Sequence, residues 1–226
     1  PKSPPDLPGF DIAGRSYPAD ATGGDYFDFL PRMDGCLGVV VGDVSGHGVG
    51  PALLMAEARA YLRILAKTNP DAGVILTKAN LVLAEDMGDE RYVTLFLARL
   101  NPASRRLACV NAGHIPGYIL HQDGSVKTVL RRTGVPLGLR AQTAYRESAE
   151  LPLEPGEMFV MLADGFDEAV NSADEMFGTE RVLAVLREHR ALPAAEIVAR
   201  LRQAVAAFTG GAPQLDDLTA IIIKVQ

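Results

Sequence analysis

The order of predicted elements indicates a layered α+β domain. Strands come first, then two helices, then a long run of strands, two more helices and a closing strand. A doubly wound fold would instead alternate strand and helix along the chain. Pairs of helices separated by runs of strands favour helices that cover antiparallel sheets.

The first third of the chain predicts three strands and a helix. Residues 10–17 and 26–30 form strands on either side of a glycine turn, and the apolar run 37–43 predicts a central, buried strand. Pro51 is suited to the first turn of a helix. The apolar face of that helix is Leu54, Ala58, Tyr61 and Leu65, and Asn69-Pro70 ends it.

The middle of the chain is rich in strands. A second helix is predicted by Ile75, Ala79 and Val82 at helical spacing. The predicted strands that follow are 92–100, 107–111, 117–121, 125–130, a weaker candidate at 146–151, and 158–163. Gln122-Asp123-Gly124 is typical of a hairpin turn between two of them.

The last quarter predicts two helices and a strand. Thr179 is a candidate cap for the first helix, and Pro193 opens the second. The β-branched run 219–225 predicts a closing strand.

Composition narrows the class of protein. The 226 residues are 48% hydrophobic and 22% charged, as in an ordinary globular domain. A net charge of -6 without a Lys/Arg run argues against nucleic acid as a partner. No apolar stretch approaches about 18 residues, so we expect no membrane insertion. Cys36 and Cys109 have no metal-binding spacing, and we expect two buried, reduced thiols and a cytoplasmic protein.

The N-terminal residues indicate a linker. Residues 1–9 contain four prolines, which is typical of a stiff segment. The chain begins at Pro1 and its first methionine is Met33, so we expect a piece of a longer protein. The predicted organisation is a linker at 1–9, a domain at 10–226 and a regulatory domain upstream.

Four acidic sites lie at strand ends or in glycine-containing turns. Asp25 follows two glycines, Asp43 and Asp164 end apolar runs, and Asp216-Asp217 precedes the last strand. One such Asp is ordinarily a turn residue. If the fold gathers all four, hard divalent cations such as Mg²⁺ or Mn²⁺ would offset their repulsion. Two such ions about 4 Å apart could act on a phosphoryl group. Spacing alone does not show that the four converge.

Seven motifs in order extend from about Phe10 to the C-terminus. They are Gly23-Gly24-Asp25-Tyr26-Phe27-Asp28, Asp43-Val44-Ser45-Gly46-His47-Gly48, Asn111-Ala112-Gly113-His114-Ile115-Pro116, Gly134-Val135-Pro136-Leu137-Gly138, Asp164-Gly165 followed by Glu168-Ala169, Phe177-Gly178, and Asp216-Asp217-Leu218-Thr219. Together they resemble the PPM (PP2C-like) serine/threonine phosphatases. The closest branch is the bacterial SpoIIE/RsbU type, which regulates sigma-factor partner switching.

The resemblance implies a fold and a metal site. The implied fold is an α-β-β-α sandwich of two mainly antiparallel sheets flanked by helix pairs, with two Mn²⁺ or Mg²⁺ ions at one end. Asp43 would bridge both ions and the backbone carbonyl of Val44 would add a ligand. Asp25 would serve one ion, and Asp164 and Asp216 the other. Asp217 is the alternative to Asp216 and would otherwise support the turn.

The resemblance also implies catalytic roles, and the sequence departs from the family pattern at some positions. Asp43 and Asp164 are expected to be essential for catalysis. His47 is a candidate general acid for the leaving oxygen, or it orients Asp43. Ala163 and Asp167 stand where the family usually has Thr. The turn before Asp25 contains no Arg that could bind phosphate, and Arg15 is only a remote candidate. The metal ions would therefore provide most of the binding to phosphate.

The resemblance also implies partners. The expected substrate is a phosphorylated STAS-domain anti-anti-sigma protein, and the expected regulator is an upstream sensor or receiver domain, with a homodimer possible. The helices at 51–67 and 75–87 are the expected regulatory elements. One alternative is a catalytically inactive PP2C-like module that binds a partner. Another is a nucleotide-binding loop at Gly46–Gly50, which the failed GxGxxG spacing argues against.

Overall fold

Two five-stranded sheets and five helices make up the part of the chain that the structure describes. The computed structural model describes residues 1, 3–20, 23–31, 34–46, 48–87 and 91–226. The strands are β1 (Phe10–Tyr17), β2 (Asp25–Pro31), β3 (Leu37–Val44), β4 (Val93–Asn101), β5 (Arg106–Ala112), β6 (Gly117–Leu120), β7 (Val126–Leu130), β8 (Leu151–Pro152), β9 (Met158–Leu162) and β10 (Leu218–Val225). The helices are α1 (Val49–Thr68), α2 (Ala72–Asp86), α3 (Gly165–Glu168), α4 (Gly178–Glu188) and α5 (Ala194–Phe208).

The strands pair in two antiparallel sheets. One sheet has the order β1-β10-β9-β6-β7 and the other β2-β3-β4-β5-β8. Each ladder between neighbouring strands is antiparallel. The strand β2 is therefore an edge strand, held on one side by β3.

Three apolar layers hold the sandwich together. Inward side chains of both sheets, including Phe96 and Phe159, form the layer between the sheets. Helices α1 and α2 cover the outer face of the β2–β8 sheet. Helices α3, α4 and α5 cover the outer face of the other. This arrangement confirms the predicted α-β-β-α sandwich.

Two local predictions are wrong. Of the candidate strand 146–151, only Leu151 pairs in a ladder. The amide of Cys109 donates to the Ser148 hydroxyl (3.1 Å) rather than to a strand carbonyl. Thr179 does not cap α4: the helix begins at Gly178, and the Thr179 hydroxyl donates to Asp167 Oδ2 at 2.7 Å instead.

The cysteines and the helices bear on two expectations that were drawn from composition. Cys36 and Cys109 are both buried and free of disulfide bonds, as predicted. In the described part of the chain, no helix combines the length and apolar character that crossing a bilayer requires.

Candidate metal centre

Asp25 and Asp43 face each other at one end of the sandwich. The register of β2 and β3 pairs them directly, which places opposing Cβ atoms about 5 Å apart. Side chains alternate along a strand, so both carboxylates share the inner face of Phe29, Val39 and Val41. Both faces of β3 are buried, so a slip of one residue would exchange the side chains that pack against the second sheet with those that pack against the helices.

The glycine turn before β2 lies against this pair. A Cβ atom at Gly24 would stand 2.9 Å from Asp43 Oδ1 and 3.1 Å from the Val44 carbonyl oxygen. The Val44 amide also donates to the Gly24 carbonyl at 3.3 Å. Gly24 thus allows the backbone to approach Asp43 and the Val44 carbonyl more closely than a side chain would permit.

Asp164 and Asp216-Asp217 arrive from the other sheet. Because β9 and β10 are antiparallel, the end of β9 lies beside the start of β10. A Cβ atom at Gly165 would stand 3.4 Å from Asp216 Cβ and 2.2 Å from the Asp217 carbonyl oxygen. The Asp25 amide donates to Asp217 Oδ2 at 3.2 Å, which joins the two sheets. The structure therefore brings the predicted acidic residues of both sheets to one end.

The electrostatics of the paired carboxylates are unfavourable. Both oxygens of Asp25 are buried, and no residue in the described part of the chain forms a hydrogen bond with them. Burial, reinforced by the charges of Asp43, Asp217 and Asp164 and opposed by the nearby Thr219 hydroxyl, raises the pKa of Asp25 to about 9. Burial and the charges of Asp164, Asp216 and Asp217 raise the pKa of Asp43 to about 7. A buried charge without a partner is strongly destabilising.

Asp216 and Asp217 differ in their surroundings. Asp217 is buried, and its two oxygens accept hydrogen bonds from the amides of Ala19 (2.8 Å) and Asp25 (3.2 Å). Asp216 is exposed, and its Oδ1 accepts from the Asp217 amide at 2.7 Å. Partial burial, Asp164 and Asp217 raise the pKa of Asp216. Asp217 supports the loop, whereas Asp216 keeps a free oxygen.

These residues fit a hard divalent cation. The acidic side chains that the structure gathers at this end offer carboxylate oxygens, and oxygen ligands are those that Mg²⁺ and Mn²⁺ prefer. Among the described residues, no three His, Cys, Asp or Glu side chains already stand in a coordinating arrangement. The described carboxylates therefore lie at one end of the sandwich without converging on a common point.

The histidines of the motifs have different outcomes. His47 lies outside the described residues. His114 is buried, with Nδ1 at 2.8 Å from Thr94 Oγ1 and Nε2 at 2.9 Å from the Leu162 carbonyl oxygen. Burial lowers its pKa to about 4, so it is neutral near pH 7. His114 thereby ties β4 to the end of β9, two residues before Asp164.

Sequence reasoning missed two charged groups near the site. Burial and the charges of Asp164 and Asp216 raise the pKa of Glu168. The sequence pointed to Glu168 only as a member of the motif that begins at Asp164. The guanidinium of Arg91 lies against Gly50, at the start of α1, 3.0 Å from where a Cβ atom would stand. Arg15, by contrast, is exposed on β1 and donates to the Gly14 carbonyl.

A two-sheet sandwich flanked by helices, with carboxylates gathered at one end, defines a PP2C-like phosphatase domain. Comparison with known proteins agrees. Residues 33–226 match the model of the stage II sporulation protein E (SpoIIE) family, and the chain belongs to that family. The SiaA-PP2C domain of Pseudomonas aeruginosa superposes with a TM-score of 0.82 at 29% identity, covering 96% of this chain and 86% of that one.

Two curated relatives are longer than this chain. Protein IcfG of Synechocystis is 29% identical over 99% of this chain, which spans 39% of its length. Phosphoserine phosphatase RsbU of Bacillus subtilis is 26% identical over 95% of this chain, which spans 63% of its length. The RsbU and RsbW domains of Rv1364c from Mycobacterium tuberculosis share the fold, with a TM-score of 0.80 at 24% identity.

Proposed function

We propose that this domain is a metal-dependent phosphatase that acts on phosphoserine or phosphothreonine in a protein. The observation that carries the proposal is the buried carboxylate of Asp25, which faces Asp43 and has no hydrogen-bond partner among the described residues. A site that repels its own charges would also repel a phosphate, unless a cation binds first. The naming of RsbU as a phosphoserine phosphatase supports the same reaction.

The proposed metal ligands are oxygen atoms of this chain. Two Mn²⁺ or Mg²⁺ ions would be bound by the carboxylates of Asp25, Asp43, Asp164 and Asp216 and by the backbone carbonyl of Val44. Those ions, when bound, supply Lewis-acid activation of water and neutralise phosphate charge. The carboxylates fix the position of the cations.

Two neighbouring residues complete the proposed site. Asp217 holds the turn before β2 through two backbone amides. His47, four residues after Asp43 in the sequence, is proposed to protonate the leaving oxygen. Its alternative role is to orient Asp43.

A phosphatase assay tests the proposal. Purified protein is incubated with a phosphoserine peptide in Mn²⁺ or in EDTA, and released phosphate is measured. We expect turnover in Mn²⁺ alone, and a loss of at least about 100-fold in Asp43→Asn and Asp164→Asn with the fold retained. Asp123→Asn is the control, because Asp123 lies in an exposed hairpin turn and accepts only from Ser125. Failure of wild-type protein to release phosphate would favour an inactive, partner-binding module.

The substrate is proposed to be a phosphorylated STAS-domain protein of a partner-switching pathway. The occurrence of RsbU and RsbW domains in one protein of similar fold supports a regulatory setting. The longer relatives support an additional sensor or receiver domain in the full protein. Dephosphorylation of STAS proteins from the same genome at a higher kcat/KM than the peptide would support this substrate, and equal rates would argue against it.

A further inference from the structure

Asp28 is a buried carboxylate that the proposed reaction does not use. It lies on β2, three residues after Asp25, and its side chain is fully buried. Alternation along the strand turns it away from the metal site, toward the face that Tyr26 and Leu30 share. That face is covered by α1. A carboxylate in such an apolar layer requires compensating partners.

Asp28 has a complete set of partners. Arg63 on α1 binds both of its oxygens, with Nε at 2.6 Å from Oδ2 and Nη2 at 2.7 Å from Oδ1. The Tyr26 hydroxyl donates to Oδ2 at 2.7 Å, and the Phe29 amide to Oδ1 at 2.9 Å. Burial alone would raise the pKa of Asp28, but the hydrogen bonds from Arg63 and Tyr26 outweigh it and lower the pKa. The pair is thus ionised and bidentate, which fixes orientation as well as distance.

The pair connects two elements that carry the metal site. Helix α1 begins in the loop that follows Asp43, and β2 begins at Asp25. Because β2 is an edge strand, β3 alone holds it within the sheet. When both carboxylates are ionised, as metal binding requires, their repulsion acts to separate the ends of these two strands. Apart from Arg59, which approaches Asp28 only to 3.6 Å, the described contacts of α1 with this face are apolar. They involve Met55, Ala58 and Leu62, and apolar contacts are not directional.

We propose that Asp28 and Arg63 form a positioning pair, which holds the edge strand β2 against α1 and thereby fixes the carboxylate of Asp25 opposite Asp43. The inference rests on the proposed metal site. It assigns a role to the second acid of the Gly23–Asp28 motif, about 10 Å along the strand from the first. Neither residue of the pair would touch metal or substrate.

The test compares metal affinity with stability in four proteins. Wild type, Arg63→Met, Arg59→Met and Arg99→Met are titrated with Mn²⁺ by calorimetry, and the metal-free forms are unfolded with urea. Arg59 lies one turn before Arg63, is half exposed and approaches Asp28 Oδ2 only to 3.6 Å. Arg99 forms an equally bidentate pair with Glu147, with both contacts at 2.9 Å. It lies on β4, five residues beyond Thr94, the partner of Asp43.

We expect Arg63→Met and Arg99→Met to lower the urea midpoint alike. Only Arg63→Met should weaken Mn²⁺ binding, by at least about 10-fold, as for other groups that orient metal ligands. Wild-type affinity in folded Arg63→Met would overturn the inference, as would an equal loss in Arg99→Met. If Arg63→Met does not fold, Asp28→Asn replaces it under the same two criteria. Absence of Mn²⁺ binding in wild type would instead overturn the proposed function itself.

Discussion

Replacing Asp25 by Asn should stabilise the metal-free protein while abolishing its response to metal. The buried carboxylate of Asp25 faces Asp43, and none of the described residues forms a hydrogen bond with it. Asn has nearly the same shape and no charge, so the substitution removes the repulsion and leaves the packing unchanged. A residue kept for binding is expected to lower stability in this way.

The size of the effect follows from the pKa of Asp25, which burial raises from 3.8 to about 9. The folded state favours the protonated form, so this group's stabilisation is complete below pH 3.8 and is lost as the pH rises toward about 9. Between about pH 5 and about pH 8 an isolated group would lose up to about 4 kcal/mol. Asp25 and Asp43 titrate as a coupled pair, so part of this loss of stability belongs to Asp43. We expect about 2 kcal/mol of it to disappear when Asp25 alone is replaced.

Urea unfolding in EDTA measures this difference. The chain has no Trp, so far-UV circular dichroism is the suitable signal. We expect the free energy of unfolding of Asp25→Asn, relative to wild type, to rise by about 2 kcal/mol from about pH 5 to about pH 8. Asp28→Asn is the matched control on the same strand. The Asp28 pKa is lowered, so this variant should be destabilised at both pH values.

Adding Mn²⁺ should reverse the order of the two proteins. At about 100 times its dissociation constant, the ion should stabilise wild type by about 2.7 kcal/mol and leave Asp25→Asn unchanged. A stability difference that does not vary with pH would refute the electrostatic reasoning. Equal stabilisation of both proteins by Mn²⁺ would refute the assignment of Asp25 as a ligand.

Three further predictions concern neighbouring residues. Asp217→Ala should destabilise the metal-free protein by about 1–3 kcal/mol, because two backbone amides lose their acceptor. Asp216→Ala should mainly weaken Mn²⁺ binding. Urea unfolding measures the first effect and calorimetry the second, and identical behaviour of the two variants would contradict their assigned roles. His114 is buried and neutral with its pKa lowered to about 4, so stability should fall as the pH drops from 6.5 toward about 4; His114→Gln should flatten that dependence in urea titrations, and an unchanged slope would count against it. Gly165→Ala should lower stability by about 2 kcal/mol or more, because its Cβ would meet the Asp217 carbonyl oxygen; an unchanged melting temperature would show that the loop yields.

The elements that the sequence predicts well are those with a strong local pattern. The apolar run before Asp43 required a buried strand, and β3 is that strand. The candidate strand 146–151 failed because its residues are held by side-chain contacts and only Leu151 pairs in a ladder. Glu147 turns toward Arg99, and Ser148 offers its hydroxyl to the Cys109 amide. Such contacts depend on residues far away in the chain, so a local pattern does not contain them.

The gathering of the acids was beyond a local pattern for the same reason. The pairing of β9 with β10 brings Asp164 to Asp216, although 52 residues separate them. The register that places Asp25 opposite Asp43 depends on the burial of both faces of β3. Residue spacing contains neither fact, and the family resemblance supplied the link. Asp28 could have been noticed in the sequence, because it is a charged residue within the otherwise apolar face of β2. Two arginines that could pair with it, Arg59 and Arg63, lie one turn apart on α1.

The two faces of β2 present the same problem with opposite solutions. Asp28 and Asp25 are both buried carboxylates, three residues apart on one strand. The chain supplies Asp28 with an arginine, a tyrosine hydroxyl and an amide. Among the residues that the structure describes, it supplies the Asp25 oxygens with no hydrogen-bond partner and surrounds them with further acids. A cation bound at Asp25 would give this carboxylate the compensation that Arg63 gives Asp28, and this contrast supports the proposed metal site.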